Sequence, residues 1–351
     1  MKQAPNSKVV GRLVPSPSLA TQRKQAKEKQ RSGWEEVLDV ARQHLKRFIG
    51  LEPKVLQGDD PEAIHDFRVA SRRLQQVLDL LYPKPRPKKI RKLRRVIQRC
   101  RQAFSTVRNC DVLIQRVNGS LACKRTGQRE SWMAFREHLE TRRLDAFQQA
   151  VGKLSRLNLS DFYVRLQGCL NAPPHSLSNP GGTVSDESQP GYGVEVGTLE
   201  DRLVRELQLT WEAFDTRVSH SQKERDPDSL HAVRIAAKRL RYLIEVIGEL
   251  GVADTKKILS RLRRLQQHLG DWHDLEVIEQ MMAEMLARPR FLRSNINLAI
   301  KMRRLMLKNQ KSKTIYEKKY FDSAIISSGC SELKAWVIKV ASKPVPLDSE
   351  I

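Results

Sequence analysis

The sequence predicts an all-α protein made of two copies of one basic helical unit. Three observations carry this. Apolar residues recur at helical spacing from Trp34 to about Leu170 and again from Leu199 to about Val340, with no convincing strand alternation. The stretch between them, NAPPHSLSNPGGTVSDESQPGYGVEVGT, is rich in Pro, Gly and Ser and reads as a loop or linker. The two helical stretches also share a sequence repeat.

Taken in order, residues 1–31 are expected to form a disordered basic tail, because Met1 to Lys27 holds no acidic residue and no apolar run. The ordered body then spans 32–340. Its first helical repeat covers 34–170, interrupted by Pro83, Pro85 and Pro87; the linker covers 171–198 and the second repeat 199–340. Residues 341–351 contain two prolines and should fray.

The repeat is explicit. Residues 60–74 read DPEAIHDFRVASRRL and residues 226–240 read DPDSLHAVRIAAKRL, an offset of 166 (226 − 60). Upstream, Phe48 aligns with Phe214 at the same offset. Downstream, FSTVRNCDVL from Phe104 aligns with LGDWHDLEVI from Leu269 at an offset of 165 (269 − 104). Two long segments kept in register argue for duplication of a whole unit.

Each signature segment should open a helix. Asp60 and Asp226 suit the N-cap, Pro61 and Pro227 the first helical position, and Glu62 and Asp228 the first turn. At about 100° per residue, Phe67, Ala70, Leu74, Val77 and Leu81 share one side of the first helix, and Val233, Ala236, Leu240, Leu243 and Ile247 one side of the second. Roughly opposite lie His65, Arg68 and Arg72, repeated as His231, Arg234 and Lys238. Arg73 and Arg239 flank the stripes, with Arg241 added in the second copy. The plain reading is a solvated face. The recurring His-x-x-Arg-x-x-x-basic order, with Val69 and Ile235 beside it, favours a basic stripe facing a shared groove.

Composition narrows the partner. Lys and Arg number 64 against 40 Asp and Glu, a formal charge of +24, which draws in polyanions. Aromatics are only 6%, which weighs against base stacking on single strands. Five cysteines without C-x-x-C spacing argue against disulfide or zinc frameworks and for a reducing, cytoplasmic setting. No stretch approaches the roughly 18 apolar residues of a membrane span.

The paired His-x-x-Arg-x-x-x-[Lys/Arg]-Arg-Leu segments, each followed by a Leu-Gly-x-x-Arg-Asp-x-Asp-Val-like element, resemble the CHAD family, the "conserved histidine α-helical domain". The resemblance covers roughly 34–340. It implies two four-helix bundles related by a pseudo-twofold axis, a basic central cavity, binding of inorganic polyphosphate and association with polyphosphate granules. Carried over by position, the polyphosphate-binding candidates are His65, Arg68, Arg72 and Arg73, then His231, Arg234, Lys238, Arg239 and Arg241. Arg99 and Arg264 align in the next helix and join them; Lys92 and Lys257 are weaker candidates. The second element departs from the family at Ser105, where Gly is expected and Gly270 keeps it, and at Arg108-Asn109 and His273-Asp274. The Glu-x-Glu-x-Lys strand of a fused triphosphate-processing domain is missing, so the expectation is a stand-alone domain.

A polyphosphate site needs many cationic contacts and no base readout. Arg grips two oxygens at once and Lys acts as a point charge. The arginines should lower the histidine pKa and a bound phosphate should raise it, so affinity is expected to rise as pH falls through about 6.5. The alternative is that both histidines are neutral and fix helix contacts.

Neither catalysis nor a cofactor is expected. His65-Asp66 is adjacent in one half only, since Ala232 follows His231, and no Gly-rich phosphate loop occurs. Asp271, His273, Asp274 and His268 lack ligand spacing for a metal. Nucleic acid is the competing, weaker partner, through runs such as PKKIRKLRRVIQRCR.

Overall fold

The computed structural model describes residues 19–122, 128–171, 198–322 and 324–342. Among them the chain forms α1 (Leu19–Gln57), α2 (Pro61–Leu81), α3 (Lys88–Ala103), α4 (Ser105–Ala122), α5 (Arg129–Ser155), α6 (Leu159–Asn171), α7 (Leu199–Glu224), α8 (Pro227–Glu249), α9 (Lys256–Leu286), α10 (Pro289–Ser294), α11 (Ile296–Asp322) and α12 (Ala324–Ser342), and no strand. Most of the expected linker lies outside the described residues: Asn171 ends α6, and Thr198 caps α7 with a reciprocal bond to Asp201.

The signature helices start where their caps dictate. Asp60 accepts from the Glu62 amide at 2.8 Å, and Asp226 from the Ser229 amide at 2.7 Å. Pro61 and Pro227 follow, where no N–H is needed. The other end of the chain departs from expectation. α1 already begins at Leu19, within the segment expected to be a disordered tail, and residues 1–18 lie outside the described residues. Ala, Gln, Lys, Arg and Glu dominate 19–31, all good helix formers, with Pro15 and Pro17 just before.

Each half is four long rods: α1, α2, the α3–α4 pair and α5, answered by α7, α8, α9 and α11. The shorter α6 and α12 close against α1 and α7. Among the described residues the correspondence breaks at Phe104, where the first half changes helix and α9 runs on unbroken.

The halves meet largely through counterparts. α2 packs on α8, α1 on α7, α4 on α9 and α5 on α11, as a pseudo-twofold relation requires. One apolar cluster runs through both halves, from Phe48 and Phe67, stacked at 4.5 Å, to Phe214 and Trp272. A second joins Leu113, Phe135 and Leu139 to Met282, Met302 and Leu305 across the seam. Between the clusters, the facing stretches of α2, α4, α8 and α9 turn polar, and there the core opens into a cavity.

Candidate functional site

The cavity occupies about 670 Å³. α2 contributes His65, Arg68, Val69, Arg72 and Arg73; α4 contributes Arg108 and Asn109; α8 contributes Arg234, Lys238, Arg241, Tyr242 and Glu245. α9 contributes Arg263, Gln267, Gly270, His273, Asp274 and Val277, and Arg47 and Asp66 complete one wall. The spacing is helical: 263, 267, 270, 274 and 277 are one face of α9, as 65, 68 and 72 are of α2. Nine Arg or Lys side chains meet three carboxylates there, Asp66, Glu245 and Asp274. A larger void of about 860 Å³ among α4, α5, α9 and α11 mixes apolar side chains such as Trp132 and Ile278 with three cations, Arg116, Arg129 and Lys308, and no carboxylate.

The cations differ in what already holds them. Arg68 donates to the Arg101 carbonyl at 2.5 Å and to Ser105 Oγ at 2.8 Å. Arg72 donates to the Tyr242 hydroxyl at 3.1 Å. Arg73 crosses the seam to Glu245 at 3.2 Å and reaches Glu249 at 3.9 Å. Arg241 lies 3.7 Å from Glu245 and stacks on the Tyr242 ring at 4.8 Å. Arg47 pairs with Asp66 at 2.9 Å, and Arg108 reaches Glu62 at 3.4 Å. Arg234 and Lys238 make no hydrogen bond or close ion pair among the described residues, and Arg234 Nε and His273 Nδ1 are buried without a hydrogen-bond partner.

So many like charges out of water strain each other's ionisation. Burial, then Arg234, Arg72, Arg68 and Arg241, lowers the Lys238 ammonium to about 6. Burial and the neighbouring Arg72, Arg101 and Arg108 bring Arg68 to about 10. His273 falls to about 3 through burial, Arg234, His231 and Lys238. His65 and His231 are also lowered, first by burial and then chiefly by Arg108 and Arg234 respectively. Burial pushes the Tyr242 phenol up, yet Arg72 and Arg241 outweigh it and leave it below its usual value.

Seven of the eleven candidates line the cavity: His65, Arg68, Arg72, Arg73, Arg234, Lys238 and Arg241. His231 stands just behind, its ring 5.1 Å from that of His273. Arg99, Arg239 and Arg264 do not reach the cavity and lie on exposed faces, as do Lys92 and Lys257, the latter 3.3 Å from Glu332. Arg239 is felt at the seam in charge instead: burial raises the pKa of Asp79, the α2 counterpart of Glu245, and Arg94, Arg86 and then Arg239 offset part of that rise. Ile235, expected against protein, is 55% exposed. In α9 it is Arg263, one residue before Arg264, that lines the cavity, while itself remaining exposed.

The sequence reading passed over Tyr242, Glu245, Arg263 and Arg47. The positions where the second element departs from the family pattern belong to the site: Arg108, Asn109, His273 and Asp274 line the cavity, and Ser105 holds Arg68. Asp271 and Asp274 lie 3.3 and 3.6 Å from Arg116. No described helix is long and apolar enough to cross a membrane.

Comparison with solved structures finds the crystal structure of the CHAD domain from the plant Ricinus communis, with a TM-score of 0.59 at 20% identity, covering 86% of this chain and 91% of that one. Comparison with curated proteins finds no match. The family described as CHAD domain matches residues 39–283, which include all of α2, α4 and α8 and every residue of α9 that lines the cavity. Duplicated helices, cavity and family match agree: the chain belongs to the CHAD family.

Proposed function

We propose that this protein binds inorganic polyphosphate in the cavity between its halves and associates with polyphosphate granules through it. The observation that carries the reading is the excess of nine Arg and Lys side chains over three carboxylates in a walled cavity, with Arg234 and Lys238 making no hydrogen bond or close ion pair among the described residues. Such an arrangement is held together against its own repulsion and is relieved by an anion. A chain of phosphates carries about one charge per internal unit and presents only oxygens, which suits a lining of guanidiniums with a single aromatic, Tyr242. Catalytic groups are not invoked: the site binds.

The test is titration with medium-length polyphosphate at ~150 mM salt, with duplex DNA as competitor. Tight binding that resists DNA and collapses in Arg68→Ala/Arg234→Ala is the expected result. Equal binding of both polymers, unchanged in the double variant, would assign the charge to a diffuse nucleic-acid-binding surface.

A further inference from the structure

The two halves of the cavity come from one repeat, yet they hold their arginines differently. Arg68 is tied to Ser105 Oγ and to the Arg101 carbonyl. Its counterpart Arg234 (68 + 166) has neither bond, and its Nε is buried without a partner. Only the charge of Asp274 is felt there from the acidic side. Part of the difference traces to one position; the rest, the bond to the Arg101 carbonyl, lies at the α3–α4 break that α9 lacks. Ser105 becomes Gly270 (105 + 165), so the hydroxyl that occupies Arg68 is missing beside Arg234. Packing does not demand that glycine: a Cβ built on Gly270 would meet nothing within 4 Å. One turn on, Arg72 has the Tyr242 hydroxyl, whereas its counterpart Lys238 has no partner among the described residues. His273 Nδ1 and Arg241 Nε are buried without a hydrogen bond, as is Arg73 Nε on the other side, but lie within ion-pair reach of Glu276 at 3.6 Å and Glu245 at 3.7 Å.

We propose that the cavity is functionally lopsided: the α8–α9 side forms a subsite in which Arg234 and Lys238 grip one phosphoryl group in the space above Gly270, while Arg68 is a wall fixed by its own protein contacts. The inference rests on the polyphosphate reading and adds where along the cavity the chain is held. An arginine whose Nη1 is already bonded must give up those bonds or bind through Nε and Nη2 alone to take a phosphate; one without them presents its whole fork. The subsite therefore concentrates affinity in one half of a sequence-symmetric site.

Calorimetric titration of the full chain with tripolyphosphate tests this. Arg234→Gln should weaken binding about tenfold or more, and Arg68→Gln less than about threefold. Gly270→Ser offers Arg234 the hydroxyl that Arg68 has, and should weaken binding about threefold to tenfold with no loss of thermal stability. Gly270→Ala adds bulk without a hydroxyl and should cost less than Gly270→Ser. Equal losses at Arg68→Gln and Arg234→Gln with Gly270→Ser neutral would overturn the subsite, as would a Gly270→Ala loss matching that of Gly270→Ser. Binding of long polyphosphate but not of tripolyphosphate would also remove the subsite while leaving the function. Failure of the unaltered chain to bind either would instead remove the polyphosphate reading itself.

Discussion

Lys238 is the residue on which the pH behaviour turns. Its folded-state pKa of about 6 lies far below the ordinary 10.5. Between those values the unfolded chain holds a proton that the folded chain lacks, so this group makes stability rise with pH across that window and fall toward pH 6. Lys238→Met should flatten that slope in urea titrations run from pH 6 to 9. A bound phosphate reverses the preference and draws the proton back, so affinity should rise as pH falls from about 8 to 6, with net proton uptake in calorimetry across buffers of different ionisation heat. The histidines enter later than their ordinary value suggests, because His65, His231 and His273 are all lowered in the free protein. Seven candidate residues were legible because a helical stripe of like charges recurs in both copies. Arg99, Arg239 and Arg264 were misplaced because matching register preserves every face of a helix, the solvated one included. Tyr242 and Glu245 were invisible because one is aromatic and the other acidic in a site sought by positive charge.

At the scale of the element, the Asp-Pro-acid starts of α2 and α8 were fully readable, since a cap is a local contract between a side chain and the next three amides. Asp60→Ala and Asp226→Ala should each lower stability by about 1 kcal/mol in chemical denaturation. The two losses should add, because the caps share no bonding partner. The backward reach of α1 to Leu19 and the break between α3 and α4 were not readable. The first depends on propensity alone, without an apolar stripe to mark it. The second falls at Phe104, a fully buried residue whose counterpart Leu269 is buried in the middle of an uninterrupted α9. Apolar pattern is the same in both, so the pattern does not tell a kinked rod from a straight one. The break does place Ser105 at the very start of α4, one residue past a helix break that α9 does not have.

Across the whole molecule, the seam between α2 and α8 is both structural joint and cavity wall. Glu245 is only 8% exposed and takes Arg73 from one half and Arg241 from the other. Arg73→Ala should therefore destabilise the protein by about 1–3 kcal/mol, read by urea midpoint, while Arg73→Lys should recover part of the loss. The pseudo-twofold arrangement was legible in outline, since the repeat demanded it, but which helices would face each other was not, because a duplication fixes likeness and leaves the axis free. The apolar cluster that joins the halves bears on how such a protein can exist at all. Residues 33–171 made alone would expose the surfaces that α7, α8 and α9 now cover. The best-fitting replacement is a second copy of the same fragment, because counterpart helices form most of the seam. Such a fragment should sediment as a homodimer, with Ser105 on both sides of its central opening. Covalent fusion is then what frees the two sides to diverge, for a homodimer writes every substitution twice and only a single chain can keep serine at one position and glycine at its mirror image.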